Sequence, residues 1–243
     1  MKLKSNLVLI LAGVLLFSSC ALQKGHLSFQ GKNDEIIATP KIKDYLKTRT
    51  NPSIVLKAPN TETKSTQSDP NSYIYNAIEK ELLIAGFDVK DRGLFNEVVS
   101  KSKEIDYREL KKLTNTELLL ELVYVSIKIE YGTNKFYTKN GEQKVVNQNF
   151  TKYGAVIEFK LIIIETNEFA GSYSFYYTPC SSENTGCECE IAYKNYLTPR
   201  IYPYLSFCRG QNNSNKEYEY VSEIVMEDFV REGVKLMIKE MRN

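Results

Sequence analysis

The 243-residue sequence predicts an α/β (α+β) fold: a single mixed β-sheet with helices packed on one face, a long C-terminal helix and extra antiparallel hairpins. Three observations lead there. Strand and helix signals alternate between residues 53 and 114, apolar residues recur with period two from residue 117, and residues 221 to 241 carry an apolar stripe at helical spacing.

The elements follow in order. "SIVLKAP" at 53–59 reads as a strand stopped by Pro59. A helix is expected from about Asp69, with Pro70 in its first turn, to Gly86, its Ile74, Ile78, Leu82 and Ala85 on one face. "GFDVKDRG" is a short strand with Phe87 and Val89 on one side. "LFNEVVSKS" gives a helix with Leu94, Phe95, Val98 and Val99 apolar, and a third begins at Asp106 with Glu109 in the capping-box place. Val123, Val125, Ile127 and Ile129 then alternate with Tyr124, Ser126, Lys128 and Glu130, the pattern of a half-buried strand. Asn140-Gly141 predicts a type I′ hairpin turn, and "YGAVIEFKLIIIE" with "FAGSYSFYY" a second hairpin turning at 166–168. In the last helix Met226, Phe229, Val230, Gly233, Val234, Met237 and Met241 face inward.

The chain divides as a signal segment at 1–19, a polar tether at 20–50 and one folded domain at 51–243 with a tyrosine-rich insertion at 178–216. Lys2 and Lys4 precede the apolar run from Leu7 to Phe17, and "SSC" follows, the layout of a secretory signal too short to be a comfortable membrane span. "LFSSC" resembles the lipobox of bacterial lipoproteins, with Phe17 where leucine is usual, which implies that Cys20 is acylated and holds the mature chain on a membrane. Cleavage there takes Lys2 and Lys4 from the 32 basic side chains, against 30 acidic ones, and leaves a near-neutral protein with no basic footprint for nucleic acid.

Chemistry is sparse. His26, the only histidine, lies in the expected tether, so no Ser-His or Cys-His pair is available to the domain, and no metal or other cofactor is expected. Glu121 and Glu158 sit on strands and read as a solvated face more readily than as a glycosidase pair. The glycines form no phosphate-binding loop. Asp91 and Arg92 at a strand end read as a turn closure before a recognition pair.

In an oxidising compartment Cys180, Cys187, Cys189 and Cys208 are disulfide candidates. Cys187 and Cys189 are too close along an extended chain to bridge easily. Either Cys180 pairs with Cys187 and Cys189 with Cys208, or Cys180 pairs with Cys189 and Cys187 with Cys208. A zinc site lacks its usual two-residue spacings, and a redox centre lacks Cys-x-x-Cys. Within "IAYKNYLTPRIYPYLSF", Tyr193, Tyr196, Arg200, Tyr202, Tyr204 and Phe207 are the interaction candidates, because tyrosine and arginine bury large area and keep a polar end. The same tyrosines could instead pack on the domain's own sheet.

"IYNAIEKELLIAGFDVKDRGLFNEVV", "IDYRELKKLTNTELLLELVYVSI", the hairpin "AVIEFKLIIIETNEFAGSYSF" and the last helix together resemble the curli-assembly transport lipoprotein family and its relatives. Among these are lipoproteins that activate penicillin-binding proteins and the amino-terminal domain of the Tol-system translocation protein. The resemblance rests on the helix ending in glycine, the strand ending in Asp91-Arg92, and the return strand announced by Glu117 where the family has Gly-Ala-Asp. It implies a periplasm-facing lipoprotein of the outer membrane. The expectation is a non-enzymatic binding or assembly module for an envelope complex, held to the membrane by its lipid, with an envelope protein or peptidoglycan as partner and room for a homo-oligomer. The alternatives are an oligomeric curli-type channel component, disfavoured by charge-rich segments that lack lipid-facing alternation, and a glycan-active enzyme.

Overall fold

A computed structural model describes residues 23–59, 71–101, 107–181, 189–194, 200–202 and 221–243. In chain order the elements are β1 (Gln23–Leu27), β2 (Glu35–Ala38), α1 (Pro40–Lys47), β3 (Ser53–Lys57), α2 (Ser72–Ile84), β4 (Asp88–Val89), α3 (Arg92–Lys101) and α4 (Tyr107–Thr114). They continue with β5 (Leu118–Thr138), β6 (Gln143–Ile163), β7 (Glu168–Tyr177), β8 (Glu190–Lys194), β9 (Arg200–Tyr202) and α5 (Glu223–Arg242). The fold is α+β with mixed pairing, as the sequence predicts. The described residues fall into two compact units, a larger one within 31–129, 153–177 and 221–243 and a smaller one within 23–30, 130–152 and 178–202. The stretch expected as a tether holds β1, β2 and α1 from Gln23 onward.

In the larger unit the strands run β2-β7-β6-β5-β3-β4. β3 pairs parallel with both β4 and β5, which requires the helical crossovers that α2, α3 and α4 supply. α2 ends as a Schellman motif. Gly86 takes φ +85°, its N–H donates to Leu83 O at 3.0 Å, and Phe87 N–H donates to Leu82 O at 3.1 Å.

One face of this sheet carries the main core. Ile54, Leu56, Leu118, Leu120, Ile157 and Phe159 meet Ile42 and Leu46 of α1, Ile74, Ile78 and Leu82 of α2, and the stripe of α5. That stripe is the predicted one, with Phe229 partly buried and Ile238 added. Each such side chain contributes about 1.5–3 kcal/mol when fully buried. On the reverse face Val55, Leu119, Ile162 and Ile164 form a smaller cluster under Phe95 of α3, while Leu94 of the same helix is exposed.

Burial changes parity along β5 after Leu122. Leu118, Leu120 and Leu122 point into the core, and so do Val125 and Ile127, so Val123 and Tyr124 between them are both exposed. Strict alternation would have buried Val123.

The smaller unit has the order β5-β1-β8-β9, all antiparallel. β1 is a strand because Gly25 and His26 pair with Thr138 and Tyr137 on one side and with Ile191 and Glu190 on the other. Its hairpin turn is longer than the type I′ expected. Asn140 is not among the positive-φ residues. Gly141 alone takes φ +79°, its N–H donating to Thr138 O at 2.9 Å, and Thr138 N–H donates to Glu142 O at 2.9 Å. That is a three-residue connection closed by a left-handed glycine.

Cys180 and Cys189 form a disulfide between the end of β7 and the start of β8. It is one of the two pairings left open by spacing. Cys187 and Cys208 lie outside the described residues, as do Cys20, Asp69, Pro70 and Asp106 and the side chains of Val98 and Glu109. A crosslink nine residues apart removes about 2–3 kcal/mol of unfolded-chain entropy. Cys180→Ser should therefore lower the unfolding free energy extrapolated from urea titration by that amount, and a reductant should do the same to the unaltered protein.

Candidate functional site

Polar side chains concentrate where α1 ends and β3 and β5 begin, in the larger unit. Glu117, one residue before β5, follows Asn115, whose φ of +51° turns the chain out of α4. Glu117 Oε1 accepts from Arg49 Nε at 2.9 Å and from the Tyr45 hydroxyl at 3.2 Å. Its Oε2 accepts from Ser53 N–H at 2.8 Å and Ser53 Oγ at 3.3 Å. The Arg49 guanidinium lies 3.6 Å from the centre of the Tyr45 ring, a cation–π stack that fixes its plane.

The titration behaviour follows from these contacts. Burial pushes the Glu117 carboxyl up, but donation from Ser53, Arg49 and Tyr45, together with the Arg49 charge, outweighs it and leaves the group below its usual 4.5. Burial, reinforced by the Glu117 charge, pushes the Tyr45 hydroxyl up to about 12. An ionised carboxylate with both oxygens engaged by four donors makes a latch between α1 and the sheet. It is poorly placed to take a proton from a substrate.

A second cluster joins α2 to α5. Glu81, 4% exposed, accepts from Arg231 Nη1 at 3.1 Å, and Arg231 Nη2 reaches Glu227 at 2.5 Å. Removing the cation alone leaves a carboxylate buried without its partner. Arg231→Met should thus lower the thermal midpoint further than the double variant Glu81→Leu/Arg231→Met, in which no charge is stranded.

Asp91 and Arg92 take the structural role. Asp91 Oδ1 accepts from Leu94 N–H at 2.7 Å and caps α3, while Arg92 lies 4.5 Å from the Tyr75 ring centre and 3.8 Å from Glu79. Burial holds Glu79 above its usual value against the opposing pull of Arg92. Glu121 pairs with Lys57 at 2.7 Å, and Glu158 stands opposite Ser174 in the sheet.

In the smaller unit, Tyr193 points inward. It is 2% exposed and packs on Phe136 at 5.0 Å between ring centres, so its own sheet absorbs it. Tyr196, Tyr204 and Phe207 lie outside the described residues, and Arg200 and Tyr202 are placed by their backbone in β9 alone. His26 is a strand residue stacked on Tyr137 at 5.5 Å. Among the described residues, no His, Cys, Asp and Glu side chains gather as a metal site and no helix is long and apolar enough to cross a membrane.

The latch was missed at the sequence level because Tyr45 and Arg49 fall in the expected tether. Their i, i+4 spacing at the end of "KIKDYLKTR" was the available signal.

No protein-family model and no curated protein matches the chain. Solved structures that align with it include a hypothetical protein from Chlamydia trachomatis, 11% identical over 79% of this chain and 98% of that one, with a TM-score of 0.35. Another is a PelC dodecamer from Paraburkholderia phytofirmans, 13% identical over 67% of this chain and 84% of that one, with a TM-score of 0.26.

Proposed function

We propose that the chain is an exported, lipid-anchored envelope protein that acts as a non-enzymatic binding or assembly module, of the kind its curli-transporter-like pattern implies. The observation that carries this reading is the Cys180–Cys189 disulfide, because such bonds persist in oxidising compartments, and it agrees with the sequence reading of residues 1–19 as an export segment before Cys20. The carboxylates at Glu117, Glu81 and Asp91 support binding over catalysis, since each is engaged in joining or capping elements. The partner is an envelope protein or peptidoglycan, met by the tyrosine-bearing segment after β8.

Crosslinking in intact cells followed by mass spectrometry tests this. Tyr196, Tyr204 and Phe207 are changed to serine, and Tyr193 is kept because its loss would damage the sheet. Recovery of a discrete envelope partner from the unaltered protein, reduced in the variant, is the expected result. Undiminished recovery of every partner sinks the interface, and free thiols at both Cys180 and Cys189 in envelope-purified protein sink the export.

A further inference from the structure

Three residue steps separate Cys20 from Gln23, the first residue of β1. Each step spans at most about 3.3–3.6 Å, so the two Cα atoms are no more than about 11 Å apart. The headgroup layer on one side of a bilayer is itself about 5–8 Å thick. A diacylated Cys20 sits at the base of that layer, and the remaining reach sets Gln23 at its outer rim. There is no length left for a tether.

Register shows what else stands at that level. Gly25 pairs with Thr138 and Leu27 with Phe136, so continuing the ladder two residues brings Gln23 level with Asn140 in the turn of the β5–β6 hairpin. On the other side Gln23 pairs with Tyr193 of β8. Lys24, Lys139, Asn140, Gly141 and Glu142 at this end are all exposed, and none is apolar. Ammonium, amide and carboxylate groups match lipid phosphates and headgroup amines and do not suit hydrocarbon.

We infer that this end of the smaller unit, the start of β1 with the turn at 139–142, is a docking surface seated in the headgroup layer of the bilayer that holds the Cys20 lipid. The inference rests on the lipid-anchor reading above. It makes the unit a membrane-apposed block, with Lys139 toward lipid phosphates and Lys24, which also pairs with Glu190 at 3.2 Å, beside it.

The test places a photocrosslinking amino acid at Asn140 and, in separate protein, at Asn149. Asn149 is an exposed β6 residue seven positions beyond Glu142, about 23 Å farther along the strand. Each full-length lipoprotein is reconstituted in vesicles of phosphatidylethanolamine and phosphatidylglycerol. The expected result is a lipid adduct at Asn140 several-fold stronger than at Asn149. A Gly-Ser linker of about ten residues between Leu22 and Gln23, spanning about 17 Å on average, should reduce the Asn140 adduct toward the Asn149 level. Equal or absent adducts in protein that takes up radiolabelled palmitate overturn the docking surface and leave the anchor standing. Failure of the unaltered protein to take up palmitate, with Cys20→Ala indistinguishable from it, overturns both.

Discussion

Glu117→Ala should destabilise the larger unit by about 2 kcal/mol at neutral pH, read as a lower urea midpoint with an unchanged slope. Four donors lose one acceptor. Ser53 N–H and the Arg49 Nε–H then lose their protein acceptor at a part-buried site, and the stacked guanidinium keeps its charge without the carboxylate. The pH dependence gives a sharper check. The folded-state pKa of Glu117 is below its usual 4.5, so the stabilisation is fully present above that value and is lost as pH falls through the lowered one. The alanine variant should lack this part of the acid transition and converge on the unaltered protein at low pH. Glu117→Gln keeps the shape and one acceptor oxygen, so it should cost about half as much and also lose the acid-dependent part. A variant curve parallel to the parent down to pH 2 would refute the latch.

Gly171→Ala should be more damaging, at about 3 kcal/mol, although it adds a single methyl group. A Cβ at this position of β7 would stand 2.4 Å from the Tyr173 hydroxyl and 2.8 Å from the Ile37 carbonyl oxygen. Neither neighbour can yield cheaply. Tyr173 is fully buried, and Ile37 belongs to β2, which pairs with β7 directly opposite at Ser172. Tyr173→Phe alone should be neutral or slightly stabilising, since the hydroxyl has no hydrogen-bond partner among the described residues and is deeply buried. Combined with Gly171→Ala it should recover part of the loss, because it removes the nearest atom. Full additivity of the two changes would show that the clash lies elsewhere.

Why some elements are readable from the chain alone and others are not comes down to where their stabilising partners lie. Every inward position of α5 is apolar or glycine, so its 3.6-residue period survives in the sequence whatever it packs against. β1, "QKGHL", buries only Gly25 and Leu27. Its strand character is supplied by Thr138 and Ile191, far along the chain, and no local pattern could announce it. Val123 was misassigned because a change of parity inside a strand is invisible to a period-two argument, and the turn at Gly141 because Asn-Gly serves a three-residue connection as well as a two-residue one. Glu117 was visible as a lone acid before an apolar run, but its donors come from a segment too polar to look folded. Cys180 and Cys189 were recognised as members of a staple. Their spacing left two pairings, which contacts across the sheet had to separate.

Those two pairings have a consequence for how the smaller unit reaches its native state. Cys189 directly precedes β8, so its bond to Cys180 fixes where that strand enters the ladder beside β1. Cys187 is two residues earlier, and two is the repeat of a strand. A slide of β8 by one full pleat would return every side chain to the same face, so the hydrophobic pattern alone would not oppose it. What distinguishes the two is shape: only the native register lays Tyr193 against Phe136. The aromatic pair therefore holds the same register that the disulfide borders.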